Sequence, residues 1–146
     1  FLVRELKPFI DAQYRTLPGR EATSIMGASM GGLISLYALC EYPDVFGGAG
    51  CLSTHWPAVE GVIAPYLRDF LPDPATHRVY FDYGTMTLDA LYKPGQREVD
   101  GVMAAANYTP GLNWMTREFP GTAHFERDWQ ERVHIPLAFL LDAGRN

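Results

Sequence analysis

The stretch Gly27-Ala28-Ser29-Met30-Gly31 decides the fold, because it has the form of a tight turn between a strand and a helix. It follows a short apolar run, residues 22–26, and precedes a helix-prone run, residues 33–39. A serine hydroxyl is a poor nucleophile at neutral pH, so it needs a turn where a base reaches it and backbone N–H groups bind an oxyanion. At Gly27 and Gly31 a side chain is expected to collide as strand and helix fold back on each other. The stretch therefore predicts a nucleophile elbow that presents Ser29.

Composition excludes several classes of protein. A chain of 146 residues with 47% hydrophobic residues can bury a core, which favours a single globular domain. The net charge of −5 argues against a nucleic-acid partner, since the 12 basic residues are scattered among 17 acidic ones. No apolar run approaches the roughly 20 residues that cross a bilayer, so no membrane partner is expected. Cys40 and Cys51 lie among apolar neighbours and are predicted to be free, with a disulfide as the alternative, and no metal-binding pattern is present.

Apolar spacing along the rest of the chain predicts strands that alternate with helices. Such alternation implies a parallel sheet with right-handed crossovers, so the predicted class is α/β, with about four strands and helices on both faces. The predicted strands are Ala22–Met26, Val45–Leu52, Arg78–Tyr83 and Leu112–Phe119; the predicted helices are Leu2–Tyr14, the elbow helix to Tyr42, Val59–Leu71, Gly95–Asn107 and Phe125–Leu141, the last broken or kinked at Pro136.

A parallel sheet places its chemistry at the carboxyl ends of its strands. Asp89 follows the third predicted strand, and His124 follows the fourth. The order Ser29, Asp89, His124 is the order in which α/β-hydrolases place nucleophile, acid and histidine along the chain. We therefore predict that these three residues form a catalytic triad.

Other residues compete for roles at this site. Asp82, inside the third strand, is the alternative acid. His55 and Trp56 follow the second strand, so both are predicted to line the substrate pocket, whereas Trp129 fits either helix packing or a pocket wall. The remaining candidates are predicted to be structural: His77 in a surface turn, His134 in the last helix and Trp114 in the strand core. Ser35 and Ser53 lack the flanking glycines of an elbow serine.

At these residues the chain resembles the C-terminal part of the esterase D and enterobactin-esterase-like group of α/β-hydrolases. The similarity covers nearly the whole chain. The motifs that carry it are Gly27–Gly32, Tyr80–Thr85 leading to Asp89, and Gly121–His124 followed by Glu126 and Trp129.

The resemblance implies a serine carboxylesterase that acts on a small-molecule ester and needs no cofactor. It assigns Ser29 as nucleophile, His124 as general base and later acid, Asp89 as the orienting carboxylate, and the N–H of Met30 as one oxyanion donor. The family's domain begins with further strands that carry the second oxyanion donor, so residues 1–146 are expected to be the C-terminal portion of that domain. The alternative is a catalytically incomplete fragment that acts as a structural or interaction module.

The same resemblance places the elbow strand in the interior of the family's sheet. In this chain only the strand Val45–Leu52 is expected beside it, which leaves its other edge bare. An unpaired apolar edge invites pairing with another chain. A homo-oligomer, or association with a separate N-terminal piece, is therefore expected.

Overall fold

The computed structural model describes residues 1–141, which form four strands and six α-helices. Short turns of 3-10 helix at Arg20–Ala22, Trp56–Val59 and Thr87–Leu91, and one π-helical turn at Leu2–Leu6, connect or extend these elements. In chain order they are α1 (Lys7–Gln13), β1 (Ser24–Ala28), α2 (Met30–Glu41), β2 (Gly48–Leu52), α3 (Ile63–Phe70), β3 (Arg78–Gly84), α4 (Lys93–Ala105), β4 (Trp114–Phe119), α5 (Glu126–Arg132) and α6 (His134–Leu141).

The sheet is parallel throughout and its strands follow the order β1-β2-β3-β4. Each strand therefore lies beside the next one in the chain, and the crossovers α2, α3 and α4 all advance in the same direction. Crossovers of one hand that advance in one direction pack on the same face of a sheet. The predicted α/β class with a four-stranded parallel sheet is confirmed.

The main core lies between the sheet and α2, α3 and α4. Strand residues that point to this face alternate along β2 and β3, as Ala49, Cys51, Val79 and Phe81 do. The helices contribute Leu36, Leu39, Ile63, Leu67, Val99 and Met103. On the opposite face, Tyr80 packs against Phe139 of α6 with ring centroids 6.2 Å apart. The sheet thus has helices on both faces, as predicted.

Both cysteines are buried free thiols, which confirms the predicted reduced state. Cys51 points from β2 into the core, and Cys40 lies in α2. Burial, with a smaller contribution from the Glu41 charge, raises the pKa of Cys40 to about 12. Neither thiol is therefore a reactive nucleophile at neutral pH.

The last predicted helix is in fact two helices. The break lies at Val133, between α5 and α6, rather than at Pro136 itself. A proline ring collides with the carbonyl four residues earlier, here that of Arg132, so Pro136 is tolerated only in the first turn of a new helix. Arg132, the last residue of α5, is buried and donates to Asp82 of β3.

Local backbone chemistry also changes two other predicted helices. The predicted helix Val59–Leu71 begins only at Ile63, because Val59 ends a 3-10 turn and Gly61, with a φ of +76°, interrupts the helical backbone. The predicted helix Leu2–Tyr14 is a π-helical turn followed by α1, and Pro8 stands at the junction.

The elbow strand β1 lies at the edge of the sheet. It pairs with β2 in register Met26 to Gly50, and within residues 1–141 no strand pairs with its other edge. No helix in this part of the chain is long and apolar enough to cross a membrane.

Candidate active site

Ser29 stands between the last residue of β1 and the first residue of α2. Its backbone has φ 58° and ψ −120°, a combination that residues other than glycine rarely adopt. The turn is held from both sides, since the Ser29 N–H donates to Leu52 O at 2.9 Å and the Ser29 carbonyl accepts from Gly32 N–H at 3.0 Å. The predicted strand–turn–helix geometry is present.

The glycines around Ser29 do not all act as predicted. A Cβ on Gly27 would lie 2.6 Å from Gly31 O, and one on Gly32 would lie 2.8 Å from Thr54 Oγ1. A Cβ on Gly31 would meet nothing within 4 Å, so the expected collision at that position is wrong. Gly31 instead supplies the backbone against which Gly27 packs.

Asp89 and His124 are hydrogen-bonded to each other. His124 Nδ1 lies 2.6 Å from Asp89 Oδ1, and the Asp89 side chain is fully buried. The other carboxylate oxygen, Oδ2, accepts hydrogen bonds from Gly84 N–H and from Ser53 Oγ–H, each at 2.6 Å. The two oxygens therefore have different partners, and only Oδ1 faces the imidazole.

The loops that carry Asp89 and His124 are tied together by backbone contacts. The His124 N–H donates to Thr87 Oγ1 at 2.9 Å, and Thr87 has a φ of 54°. Thr122 O accepts from the N–H groups of Thr85 and Met86 at 3.1 and 3.0 Å. These contacts bring the ends of β3 and β4 close together and place the imidazole over the carboxylate.

Asp82, the alternative acid, has different partners. Its carboxylate accepts hydrogen bonds from Arg132 Nη2 at 2.9 Å and from Tyr80 Oη at 3.2 Å. Burial raises the pKa of Asp82, and the Arg132 guanidinium acts in the opposite direction. The arrangement is a buried ion pair beside the Asp89–His124 pair, with no hydrogen bond to an imidazole among residues 1–141.

Tyr92 is a residue at this site that sequence reasoning missed. Its hydroxyl lies 2.8 Å from His55 Nδ1 and 3.4 Å from His124 Nδ1. Burial and then the Asp89 charge raise the pKa of Tyr92 to about 12, whereas a hydrogen bond with the Ser29 side chain opposes this shift. Tyr92 is therefore a neutral phenol that lies between the imidazoles of His55 and His124. Its position three residues after Asp89 was the only signal for it in the sequence.

The predicted pocket residues separate in the structure. His55 lies beside the elbow, where its N–H contacts Ser29 O at 3.4 Å. Trp56 does not line a pocket: its side chain is only 3% exposed, and its Nε1 donates to Gln96 Oε1 at 3.1 Å. The 3-10 turn that begins at Trp56 directs the indole inward under α4, where Gly95 makes room for it. Met30 is exposed, and its N–H is the first of α2, a position without an intrahelical acceptor.

Trp129 contacts the catalytic candidates. Its ring meets the His124 ring edge to face at 5.0 Å between centroids, and its Nε1 donates to Ser53 Oγ at 2.9 Å.

His77 is buried, with Nε2 2.8 Å from Pro43 O, so the prediction that it lies in a surface turn is wrong. Among the described residues no cluster of His, Cys, Asp and Glu has the arrangement of a metal site.

A parallel sheet whose elbow serine opens a helix, with an Asp–His pair beyond later strands, defines the α/β-hydrolase class. The chain belongs to the esterase family described as "Putative esterase", which matches residues 1–138.

The chain is also similar to individual proteins in sequence and in structure. The "Uncharacterized protein YbbA" of Bacillus subtilis is 30% identical over 87 residues, which are 58% of this chain and 33% of that protein. A ferulic acid esterase superposes with a TM-score of 0.76 at 20% identity, covering 96% of this chain and 58% of that one. The enterobactin esterase of Shigella flexneri superposes with a TM-score of 0.79 at 20% identity, covering 95% of this chain and 35% of that one. The chain thus spans from a third to somewhat over half of the length of these relatives.

Proposed function

We propose that this chain is a serine carboxylesterase in which Ser29, His124 and Asp89 form the catalytic triad. The observation that carries the proposal is the 2.6 Å hydrogen bond between His124 Nδ1 and the buried Asp89 carboxylate, beside an elbow serine. Because the Nδ1 proton is engaged by Asp89, the Nε2 atom of neutral His124 is left as a proton acceptor.

The reaction then follows from these positions. His124 Nε2 takes the Ser29 proton as Oγ attacks the ester carbonyl, and the Met30 N–H at the start of α2 donates to the oxyanion. His124 returns the proton to the leaving alcohol, which leaves an acyl group on Ser29. In the second half of the reaction, His124 takes a proton from water as the water oxygen attacks the acyl carbonyl. His124 then returns the proton to Ser29 Oγ, and the carboxylic acid departs. No cofactor is required, and the substrate class is a small-molecule carboxylic ester.

The domain assignment is part of this proposal. Residues 1–146 form the C-terminal portion of an α/β-hydrolase domain, and further strands of that domain would supply the second oxyanion donor. The partial coverage of the solved relatives supports this assignment.

One observation favours the alternative, a catalytically incomplete module. Within residues 1–141, the Ser29 side chain makes no hydrogen bond to His124, whose Nδ1 faces Asp89. Catalytic hydrogen bonds are often long before substrate binds, so this arrangement fits the resting site of an enzyme equally well.

Labelling with a fluorophosphonate, together with hydrolysis of 4-nitrophenyl esters of increasing acyl length, tests the proposal. The enzyme is expected to be labelled at Ser29 and to lose at least about 10⁴-fold in turnover in Ser29→Ala. The exposed Ser24→Ala in the same strand is the matched control and should retain activity. A folded wild-type chain that is neither labelled nor active supports the module, and activity that survives Ser29→Ala contradicts the assigned nucleophile.

A further inference from the structure

The Ser53 side chain makes three hydrogen bonds that the proposed triad mechanism does not account for. It follows β2, is completely buried, and has a φ of 40°. Its hydroxyl oxygen lies 2.6 Å from Asp89 Oδ2, 2.9 Å from Trp129 Nε1 and 2.8 Å from Arg132 Nη2. The last two residues belong to α5, the helix that follows His124.

These three contacts fix the direction of the Ser53 hydroxyl. A hydroxyl has one hydrogen to donate and two lone pairs that accept. An indole N–H and a guanidinium N–H can only donate, so Trp129 and Arg132 occupy both lone pairs. The single hydrogen is then directed at Asp89, the only acceptor among the three partners.

Arg132 is itself held rigidly. Its Nη1 donates to Thr122 Oγ1 at 2.9 Å, its Nη2 also donates to Asp82 Oδ1 at 2.9 Å, and its guanidinium lies over the Phe119 ring at 5.0 Å. The same Nη2 is 3.9 Å from Asp89 Oδ2. A planar guanidinium can satisfy this set of directions at once, whereas a lysine ammonium cannot reproduce its geometry.

The two oxygens of the Asp89 carboxylate therefore bind different partners. Gly84 N–H and Ser53 Oγ–H both donate to Oδ2, and Oδ1 is left for His124. Two donors on one oxygen define the plane of the carboxylate and prevent it from rotating about its Cβ–Cγ bond. Without Ser53, only the Gly84 N–H would hold that oxygen.

We infer that Ser53 and Arg132 are positioning residues, which orient Asp89 toward His124 and make the geometry of the triad depend on the docking of α5. The catalytic consequence of this inference rests on the proposed esterase function, but the orientation of the Asp89–His124 hydrogen bond does not. The two are therefore measured separately.

The test combines NMR with kinetics on the whole chain. A proton shared between an imidazole Nδ1 and a carboxylate gives a far-downfield resonance, which reports the Asp89–His124 bond without any substrate. Ser53→Ala and Arg132→Met are expected to shift this resonance upfield or broaden it away. For hydrolysis we expect kcat to fall by about 10- to 100-fold with KM within about threefold, because one charge-assisted hydrogen bond to Asp89 is lost or misdirected.

Two further variants keep the test sharp. Trp129→Phe retains the ring beside His124 and removes only one donor to Ser53, so it should fold and shift the resonance by less than Ser53→Ala. Arg132→Lys keeps the charge without the planar fork and should recover only part of the lost kcat. Arg127→Met is the matched control on α5, since the Arg127 side chain is 86% exposed and pairs only with Glu131 among the described residues, at 3.3 Å. It should leave both the resonance and kcat unchanged.

The outcomes separate the two proposals. A downfield resonance and a kcat that stay unchanged in folded Ser53→Ala and Trp129→Phe overturn the positioning role, as does a wild-type protein without the resonance. If the wild-type protein shows the resonance but hydrolyses no ester, and Ser53→Ala loses the resonance, the positioning role is supported and the esterase function is contradicted.

Discussion

Substituting Asp89 with asparagine should disable the proposed base by reversing one hydrogen bond. The asparagine side chain has one oxygen acceptor and one NH₂ donor in place of two acceptors. Its oxygen must take the Oδ2 position, because Gly84 N–H and Ser53 Oγ–H both donate there. Ser53 cannot turn its hydroxyl to accept instead, since Trp129 and Arg132 occupy its lone pairs.

The NH₂ group of the introduced asparagine would then face His124 Nδ1 and turn that atom into an acceptor. The imidazole proton moves to Nε2, where it blocks proton transfer from Ser29. We expect turnover to fall by about 10²- to 10⁴-fold, which corresponds to about 2.7–5.4 kcal/mol in the activation free energy. The pocket is untouched, so KM should change little.

Steady-state hydrolysis of a 4-nitrophenyl ester measures both parameters, and thermal unfolding verifies that each variant is folded. Asp82→Asn is the comparison, because it also replaces a buried carboxylate but one that contacts Arg132 rather than His124. It should mainly lower stability, since breaking one partner of a buried ion pair costs about 3–5 kcal/mol. A loss of turnover in Asp82→Asn that equals or exceeds that of Asp89→Asn would refute the assignment of the acid.

Three other experiments test separate parts of the structure. Tyr92→Phe removes the hydroxyl that lies 2.8 Å from His55 Nδ1 and beside His124, and it should lower kcat by about 2- to 13-fold, the value of one neutral hydrogen bond, in the same ester assay; an unchanged kcat would show that the contact is incidental. Cys40 and Cys51 should resist a thiol reagent at pH 8 in the native protein and react on denaturation, because both are buried; rapid labelling of the folded chain would contradict the core described above. The edge of β1 that no strand of residues 1–141 covers should bring two copies together, or a copy and a separate N-terminal piece. Sedimentation at micromolar concentration is therefore expected to show association that Met26→Lys weakens, and a compact monomer in both proteins would contradict it.

The order and type of the elements were predictable because each depends on local pattern. Apolar runs bounded by glycine and proline mark the four strands, and the parallel arrangement follows from their alternation with helices. Boundaries were less accurate where a single backbone position decides them. Gly61 delays the start of α3, and Pro136 acts on the carbonyl of Arg132 rather than at its own position.

The proximity of Asp89 and His124 was predictable for a different reason. Both residues follow parallel strands, and the carboxyl ends of such strands meet at one edge of the sheet. Trp56 shows the limit of this rule, since it also follows a strand but turns into the core. The rule locates a residue at the edge and leaves the direction of its side chain to the next turn of the backbone.

The roles of Ser53 and Arg132 could not be predicted from the sequence, because they depend on contacts between distant parts of the chain. The bond from Arg132 to Ser53 joins residues 79 positions apart, and the bond from Ser53 to Asp89 spans 36 positions. No local pattern distinguishes a buried serine with a saturated hydroxyl from an ordinary loop serine. What identifies Ser53 is the number of donors directed at it, which becomes visible only once α5 has packed over the ends of β2 and β3. The fold therefore comes from local pattern, whereas the orientation of Asp89 comes from packing between elements that are far apart in the chain.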